Sequence, residues 1–355
     1  YKHNRMQKDK TRLNSIRVTT AGISGGGNSH RISYLDVVKG ALIILLVFAH
    51  FRSALNRTDF KNDYFEYVYG WNSIFTCFYM PAFFLISGYC SNFRKDPKTF
   101  LKSLLKSLVL PLFALSLVND TMYALMVTHQ DISTTLLKTI KSGGTLWFIQ
   151  ALVIAKVICY SIQKVTDALI IMLIATFVLL IAGVALNQFN LGSNPFYYQH
   201  GLVASFFVAL GLFLKENQSI YEKALKYCLY SYPLLALINF WRSPNITASL
   251  SVSLKTIPLF LILSVCGTLF LIVICKKIKK CSFLEFWGQN SLVVYALHFA
   301  PLVYFFKLFY AWIQPISILS FVGALLLLLT TEYMLCCLLM KLFQYKPFKW
   351  LLGRY

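Results

Sequence analysis

The chain has 355 residues, of which 57% are hydrophobic and 13% are charged, and its formal net charge is +21. Soluble domains are roughly 45–50% apolar and about 25% charged, so this composition excludes an ordinary soluble fold. The basic residues stand in short clusters between apolar blocks, which excludes a nucleic-acid partner as the main reading and indicates cytoplasmic loops beside anionic lipid.

An N-terminal tail precedes the apolar part of the chain. Residues 1–30 are polar and basic, with a Ser-Gly-Gly-Gly stretch at 24–27, and we predict a disordered basic cytoplasmic tail. The remainder, 31–355, is predicted to be a single membrane domain, because the loops between its apolar blocks are too short to hold a separate soluble domain.

Apolar blocks of bilayer-spanning length follow the tail. Lipid does not tolerate unpaired backbone N–H and C=O groups, so blocks of this length are predicted to be helices. The expected fold class is an all-α integral membrane protein of about ten transmembrane helices. The approximate limits of the blocks are 34–55, 71–92, 104–127, 145–162, 168–187, 200–214, 227–242, 254–275, 288–308 and 316–340.

The distribution of Lys and Arg predicts the orientation of these helices. With the N-terminus inside the cell, 26 of the 34 basic residues fall in inner segments and 8 in outer segments. Cytoplasmic loops of membrane proteins carry such an excess. The expected topology therefore has both termini on the cytoplasmic side of a cell (plasma or inner) membrane and an even number of helices.

The first block carries ionisable residues on one face. Asp36, Lys39 and His50 share one side of a helix, and ionisable residues inside a membrane usually face the bundle interior. His50 lies about 16 Å along the axis from Lys39 and about 21 Å from Asp36. Asp36 therefore cannot hydrogen-bond His50, and it is predicted to pair with Lys39 or Arg31. His50 is either an interfacial histidine bonded to a neighbouring helix or a functional group.

Features of helix packing mark the second and fourth blocks. Pro81 predicts a kink and Gly88 a close approach between helices. Trp147, near the start of the fourth block, lies where an outer aromatic belt is expected, so packing is its default role.

A basic stretch begins after the second block. Arg94 opens it, and Lys98, Lys102 and Lys106 then recur every four residues, which places them on one side of a helix. Two interpretations of this stripe stay open. It is either a cytoplasmic anchor of the third helix or a site for a phosphorylated cytosolic ligand.

The ninth block carries a second polar face. Ser291, Tyr295 and His298 fall at i, i+4 and i+7, on one side of a helix. Because this block runs from the inner to the outer side, His298 is expected at a depth similar to that of His50. Two histidines at one depth could line one cavity, although the sequence does not say whether their helices touch.

Five segments in chain order together resemble membrane-bound acyltransferase family 3, the sugar and polysaccharide O-acetyltransferases, and especially its fucose-4-O-acetylase-like branch. They reach from the first block to the ninth, so the resemblance covers nearly the whole membrane portion. The segments are RISYLDVVKGALIILLVFAH at 31–50, FYMPAFFLISGY at 78–89, FLKSLLKSLVLP at 100–111, LWFIQAL at 146–152 and LEFWGQNSLVVYALH at 284–298.

The resemblance implies roles for particular residues. The family's histidine near the end of the first helix falls on His50, and the basic residue eleven positions earlier, often Arg, falls on Lys39. The basic motif after the second helix, often Arg-rich, falls on Lys102 and Lys106. Lysine keeps the charge at these positions but lacks the bidentate fork of arginine.

The resemblance also implies the substrates. The donor would be a cytosolic acyl-CoA, acetyl-CoA or another short acyl-CoA, used as a co-substrate with no tightly bound cofactor and no metal. The acceptor would be a hydroxyl of a cell-surface or lipid-linked sugar or polysaccharide, with membrane lipids as the surroundings.

We expect a cationic donor site at the inner face and His50 at the thioester. Lys39, Lys102, Lys106 and Arg94 would hold the CoA phosphates. His50 would serve either as a general base on the acceptor hydroxyl or as a transient carrier of the acyl group. The residues expected to support this site are Asp36, Arg31, Ser291, Tyr295, His298 and Trp147.

Other functional classes stay open. Ten helices with buried histidines also suit a transporter or a flippase for a lipid-linked glycan, although intramembrane acids are few, among them Asp120 and Glu332. A structural subunit with vestigial motifs is a third interpretation. The loop 57–72 is our expectation for acceptor contact, through Asp59, Asp63, Glu66 and Trp71.

Overall fold

The structure is a computed structural model that describes residues 33–55, 72–191, 194–242, 250, 252–278, 280–312 and 317–352. These ranges contain helices and no strand. The α-helices in chain order are α1 Ser33–Leu55, α2 Ser73–Thr76, α3 Tyr79–Tyr89, α4 Pro97–Thr128, α5 Ile132–Ser142, α6 Trp147–Val165, α7 Leu169–Gln188, α8 Tyr198–Glu216, α9 Gln218–Arg242, α10 Ile257–Lys277, α11 Ser282–Gln289, α12 Ser291–Leu297, α13 Phe299–Trp312, α14 Ile318–Leu342 and α15 Lys346–Lys349.

Every predicted apolar block contains a helix, but not every helix has the length and composition of a membrane span. Seven helices of the described ranges do, and α12 with α13 makes an eighth if this bent pair is one span. The second block forms only the short helices α2 and α3, and α9 lies outside the set. The protein is therefore an all-helical multi-pass membrane protein, while the count of ten and the orientation stay predictions.

Proline positions explain two breaks in the helices. Pro81 lacks the N–H that would bond to the carbonyl of Cys77, and the helix is interrupted at Cys77 and Phe78. The hydroxyl of Ser264, from α10, donates to that free carbonyl at 2.8 Å. The kink predicted from Pro81 is confirmed, and the orphaned acceptor is satisfied by a neighbouring helix.

Pro301 accompanies the second break. It lies in the first turn of α13, and its missing N–H would otherwise bond to Leu297, the last residue of α12. The axes of the two helices differ by 50° at this point. The predicted continuous helix over 288–308 is therefore wrong, because the chain bends at His298.

Helix α8 is packed on several sides. It contacts α3, α6 and α7 along its length. A Cβ at Gly88 would lie 2.0 Å from the carbonyl oxygen of Val208, and one at Gly211 would lie 2.0 Å from that of Leu85. The close approach predicted from Gly88 is confirmed, since only a missing side chain lets α3 and α8 backbones meet.

Glycines also bring α1 and α11 into close contact. A Cβ at Gly40 would lie 2.0 Å from the carbonyl oxygen of Leu284, and one at Gly288 would lie 1.8 Å from that of Asp36. The first and ninth blocks of the sequence are thus in direct backbone contact. This contact places the chain that leads to His298 beside the helix that carries His50.

Side-chain caps determine where two of the helices begin. The carboxylate of Asp96 accepts from the backbone N–H of Thr99 at 2.8 Å and begins α4. This hydrogen bond holds the pKa of the Asp96 carboxyl below its usual value. Asp131 begins α5 in the same way through Thr134. Its bonds to Ser133 and Thr134 lower the pKa of its carboxyl.

Candidate active site

Helix α1 is continuous and carries three of the predicted site residues, Asp36, Lys39 and His50. Lys39 Nζ lies 2.7 Å from a carboxylate oxygen of Asp36, whose side chain is almost fully buried. The predicted pair of Asp36 with Lys39 is present, whereas Arg31 lies outside the described residues. A buried carboxylate is strongly destabilising unless it is paired, so Lys39, on the same helix, supplies the charge that lets Asp36 be buried.

His50 lies at the opposite end of α1, about 16 Å along the axis from Lys39. Its Nδ1 is 2.9 Å from the carbonyl oxygen of Leu46, one turn earlier. A carbonyl only accepts hydrogen bonds, so Nδ1 carries the proton, and the neutral ring holds its lone pair on Nε2. This tautomer offers Nε2 as a base or a nucleophile.

His298 contacts His50. The two ring centroids are 4.9 Å apart in an edge-to-face arrangement. His298 is 2% exposed, and its Nδ1 lies 2.7 Å from the carbonyl oxygen of Val294. Its buried Nε2 has no hydrogen-bond partner among the described residues. The prediction that the two histidines lie at a similar depth is confirmed. Both imidazoles donate Nδ1–H to a carbonyl one helical turn earlier.

The bend after α12 gives His298 its position. The predicted face of Ser291, Tyr295 and His298 is kept, because the backbone N–H of His298 still donates to the carbonyl of Val294, and the chain turns after it. Ser291 and Tyr295 still lie one turn apart within α12. His298 occupies the corner, where Pro301 prevents a straight continuation. Pro301 was the sequence signal for this corner.

Tyr295 connects this region to α6. The backbone N–H of Phe148 donates to the Tyr295 hydroxyl oxygen at 3.1 Å, which satisfies one of the unpaired N–H groups at the start of α6. Trp147, the preceding residue, packs against His200 with ring centroids 5.4 Å apart. The structure therefore places Tyr295 and Trp147 around the start of α6, and His200 is an additional aromatic neighbour that the sequence did not indicate.

Positive charges collect at the Lys39 end of the bundle. The Cys90 thiol lies within electrostatic range of the ammonium groups of Lys39, Lys156 and Lys215, and of the Asp36 carboxylate that pairs with Lys39. Lys215 Nζ donates to the carbonyl of Ser91 at 3.0 Å. Sequence reasoning did not assign Lys156 or Lys215 to the site. The signal for Lys156 was its place inside an apolar block, where a charge usually faces the interior.

Two small cavities, each of about 120 Å³, lie among these residues. One is lined by Arg94 and Lys215, and the other by Lys95 and Lys156. Both also touch the segment 91–93, directly after α3. The structure thus brings Arg94 to the Lys39 end, as a donor-binding role requires, but the role itself stays a prediction.

Lys102 and Lys106 occupy a different position. Their side chains are exposed, and residues 105–109 form a π-helical turn within α4. Ser103 and Ser107 line the second cavity in their place. A π turn contains more residues than an α turn, so the four-residue recurrence does not continue as a straight stripe through this segment.

The expected acceptor loop falls largely outside the described residues. Asp59, Asp63, Glu66 and Trp71 belong to that part of the chain. Within the described ranges, no three His, Cys, Asp or Glu side chains are grouped closely enough to hold a metal ion. The described site offers two imidazoles at one end of α1 and ammonium groups at the other end.

Fold and site together define a multi-pass membrane protein with a histidine pair inside its helical bundle. The sequence profile of acyltransferase family 3, described as an acyltransferase domain, matches residues 32–341. The chain belongs to acyltransferase family 3, and it is a membrane acyltransferase by family. Neither the comparison with curated proteins nor that with solved structures gives a match.

Proposed function

We propose that this protein is a membrane O-acyltransferase of the cell (plasma or inner) membrane. It moves an acetyl or other short acyl group from cytosolic acyl-CoA to a hydroxyl of a cell-surface or lipid-linked sugar. The observation that carries the proposal is the contact of His50 with His298. In both rings Nδ1–H donates to a backbone carbonyl, which leaves Nε2 as a base. The family supplies the acyl-transfer chemistry.

The separation of charge and base along α1 suits acyl-CoA. The ammonium groups around Cys90 form a cationic end, which attracts the phosphates of CoA. The extended pantetheine arm is comparable in length to the rise of about 16 Å between Lys39 and His50. Phosphates held near Lys39, Lys156 and Lys215 therefore leave the thioester within reach of His50.

Direct transfer requires one histidine. His50 Nε2 takes the proton of the acceptor hydroxyl while the hydroxyl oxygen attacks the thioester carbonyl carbon. The new C–O bond forms, the C–S bond breaks, and the CoA thiolate leaves and takes a proton. Without a base, a sugar hydroxyl is a poor nucleophile because its own pKa is very high.

Covalent transfer requires both histidines. His50 Nε2 attacks the thioester carbonyl, the C–S bond breaks, and CoA leaves as the thiolate. The acylated His50 then has no free lone pair to act as a base. His298 Nε2, in the neighbouring ring, would take the proton of the acceptor hydroxyl as its oxygen accepts the acyl group from His50.

The test is transfer of label from radiolabelled acetyl-CoA into glycan. Membranes that contain the wild-type protein are compared with membranes that contain His50→Ala at equal expression. We expect label in glycan with the wild type and a loss of about 10²-fold or more in the variant, because the base or carrier is gone. Equal label in the two would contradict a role for His50.

A transporter or flippase is the alternative function. The specific observation in its favour is the broken helix at His298, since discontinuous helices line substrate sites in many transporters. Transporters of that kind pair two such helices, and α12–α13 is the single bent pair found in the described ranges. Movement of glycan without acyl-CoA, and with no acylated product, would favour this alternative.

A further inference from the structure

A cavity of about 330 Å³ lies at the His50 end of the bundle, next to the histidine pair. It is lined by the last turns of α4, by α5 and by Phe299, and it is open on one side. This volume is near the lower end of small-molecule sites in proteins. Its lining includes Asn119, Asp120, Tyr123, Lys138, Thr145 and Phe299.

Asp120 is the acidic centre of this cavity. It is 8% exposed, and its two carboxylate oxygens accept from Asn119, from Thr145 and, at 2.7 Å, from Thr139. A carboxylate offers about four acceptor positions, so three donors leave one position for a further donor. A ligand hydroxyl that reaches the cavity can supply it.

Aromatic rings line the side of the cavity that is nearest to His50. The rings of Phe299 and Tyr123 are almost parallel, 6° apart with centroids at 6.3 Å, and both line the cavity. The ring of Phe299 also lies 5.5 Å from that of His50. Phe299 therefore contacts both the cavity and the ring of His50.

The charges of the cavity differ from those of the Lys39 end. Among its described lining residues, Asp120 is the one acidic side chain and Lys138 the one lysine or arginine side chain. Asp120 is buried, whereas the Lys138 side chain is exposed. The interior of the cavity therefore favours hydroxyl donors and opposes a carboxylate or phosphate, since unpaired like charges at close range are strongly unfavourable.

We propose that this cavity binds the acceptor as a neutral, hydroxyl-rich sugar ring, and that Asp120 makes the site discriminate against anionic sugars. A hydroxyl of the ring donates to Asp120, the apolar face of the ring packs on Tyr123 and Phe299, and another hydroxyl is directed past Phe299 towards His50. This inference rests on the proposed function, because the acceptor needs a site within reach of His50.

The experiment is competition in the labelled-transfer assay with the full-length protein. Methyl β-glucoside and methyl β-glucuronide are added in parallel, because they differ in charge but share a ring. We expect the neutral glycoside to inhibit transfer at a concentration about tenfold lower than the anionic one. Equal inhibition by the two, or inhibition by neither, would overturn the proposal.

Two variants assign the discrimination to Asp120. In Asp120→Asn, which removes the negative charge, the tenfold difference should fall to about twofold or less. Thr145→Val, which removes one donor to Asp120 and one cavity hydroxyl, should weaken inhibition by the neutral glycoside about fivefold. The second variant replaces the first if Asp120→Asn does not fold. An unchanged charge preference in Asp120→Asn, or unchanged inhibition in Thr145→Val, would overturn the proposal.

Thr176→Val is the matched control. Thr176 is a buried threonine of α7 that donates to the carbonyl of Met172 at 2.8 Å, and it does not line the cavity. Its variant should keep the tenfold preference. If the wild type gives no His50-dependent label at all, the proposed function itself fails and this inference falls with it. Label without a charge preference would overturn the cavity assignment alone.

Discussion

At the scale of single residues, the contact between His50 and His298 carries the most chemistry. Both rings donate Nδ1–H to a carbonyl of their own helix, so both Nε2 atoms are left as bases. In the covalent route His298 would act after His50 is acylated.

We therefore expect His298→Gln to lower the turnover of labelled transfer about 10²-fold or more, with little change in the KM for acyl-CoA, because a base is lost and the donor site is not. The measurement is transfer kinetics with acetyl-CoA. His129→Gln serves as the control, since it makes the same substitution at an exposed histidine outside the pair. Wild-type turnover in His298→Gln would exclude the covalent route, leave direct transfer by His50, and make His298 a packing residue.

Lys156 provides a second residue-scale prediction. Its ammonium group and that of Lys215 join that of Lys39 near Cys90, at the end of the bundle away from His50. If these charges hold the CoA phosphates, Lys156→Gln should raise the KM for acyl-CoA roughly ten- to hundredfold, as expected for the loss of a charge-assisted bond.

Lys164→Gln is the matched control for Lys156→Gln. Lys164 lies on the same helix, but its side chain is exposed and packs over the ring of Tyr160. We expect its KM for acyl-CoA to stay within about twofold of the wild type. Equal effects of the two substitutions would show that only net positive charge matters, and would contradict a defined donor site at Lys156.

At the scale of elements, two glycines bring α1 and α11 together. A Cβ at Gly288 would lie 1.8 Å from a backbone oxygen of Asp36, which neither helix can avoid by rotating a side chain. Gly288→Ala should therefore force the helices apart, cost about 1–3 kcal/mol of stability, and lower transfer by displacing the chain that leads to His298. Thermal unfolding of the purified protein in detergent measures the first effect.

Gly323 supplies the control for Gly288. It lies in α14 with no atom within 4 Å of an added Cβ. Gly323→Ala should leave the unfolding midpoint unchanged or slightly raised, because alanine has the higher helix propensity. If Gly323→Ala lowered the unfolding midpoint as much as Gly288→Ala, any added methyl group would destabilise this fold. The effect of Gly288→Ala could then not be assigned to the α1–α11 contact.

The same elements show what the sequence could predict. The rise per residue of α1 gave the distance from Lys39 to His50. The same rise excluded Asp36 as a hydrogen-bond partner of His50. The lateral contact of His50 with His298 was beyond such arithmetic, since it depends on Gly40 and Gly288 meeting in space.

Two further features could not be obtained from periodicity. The π turn at 105–109 shifts the register of α4, so the spacing of Lys102 and Lys106 did not describe one regular helical face. The gathering of Lys156 and Lys215 around Cys90 joins residues from three separated segments, and no local pattern connects them. Pro301, by contrast, was a local signal for the bend at His298.

At the scale of the whole molecule, the two ends of the bundle differ in charge. One end gathers Lys39, Lys156 and Lys215, and the other holds the histidine pair and the cavity around Asp120. An acyl-CoA made in the cytosol and a sugar at the cell surface would approach from opposite sides. The proposed function therefore requires the Lys39 end to face the cytosol.

Reporter fusions test this orientation directly. Green fluorescent protein fluoresces when it stays in the cytosol, and alkaline phosphatase is active after export. Because 26 of the 34 basic residues fall in predicted inner segments, fusions after Lys95 and at the end of the chain should fluoresce and lack phosphatase activity. A fusion after Gln130, at the His50 end, should show the reverse, with immunoblots to match expression. Phosphatase activity in the fusion after Lys95 would show that the Lys39 end faces away from the cytosol. The donor site proposed at that end would then be wrong.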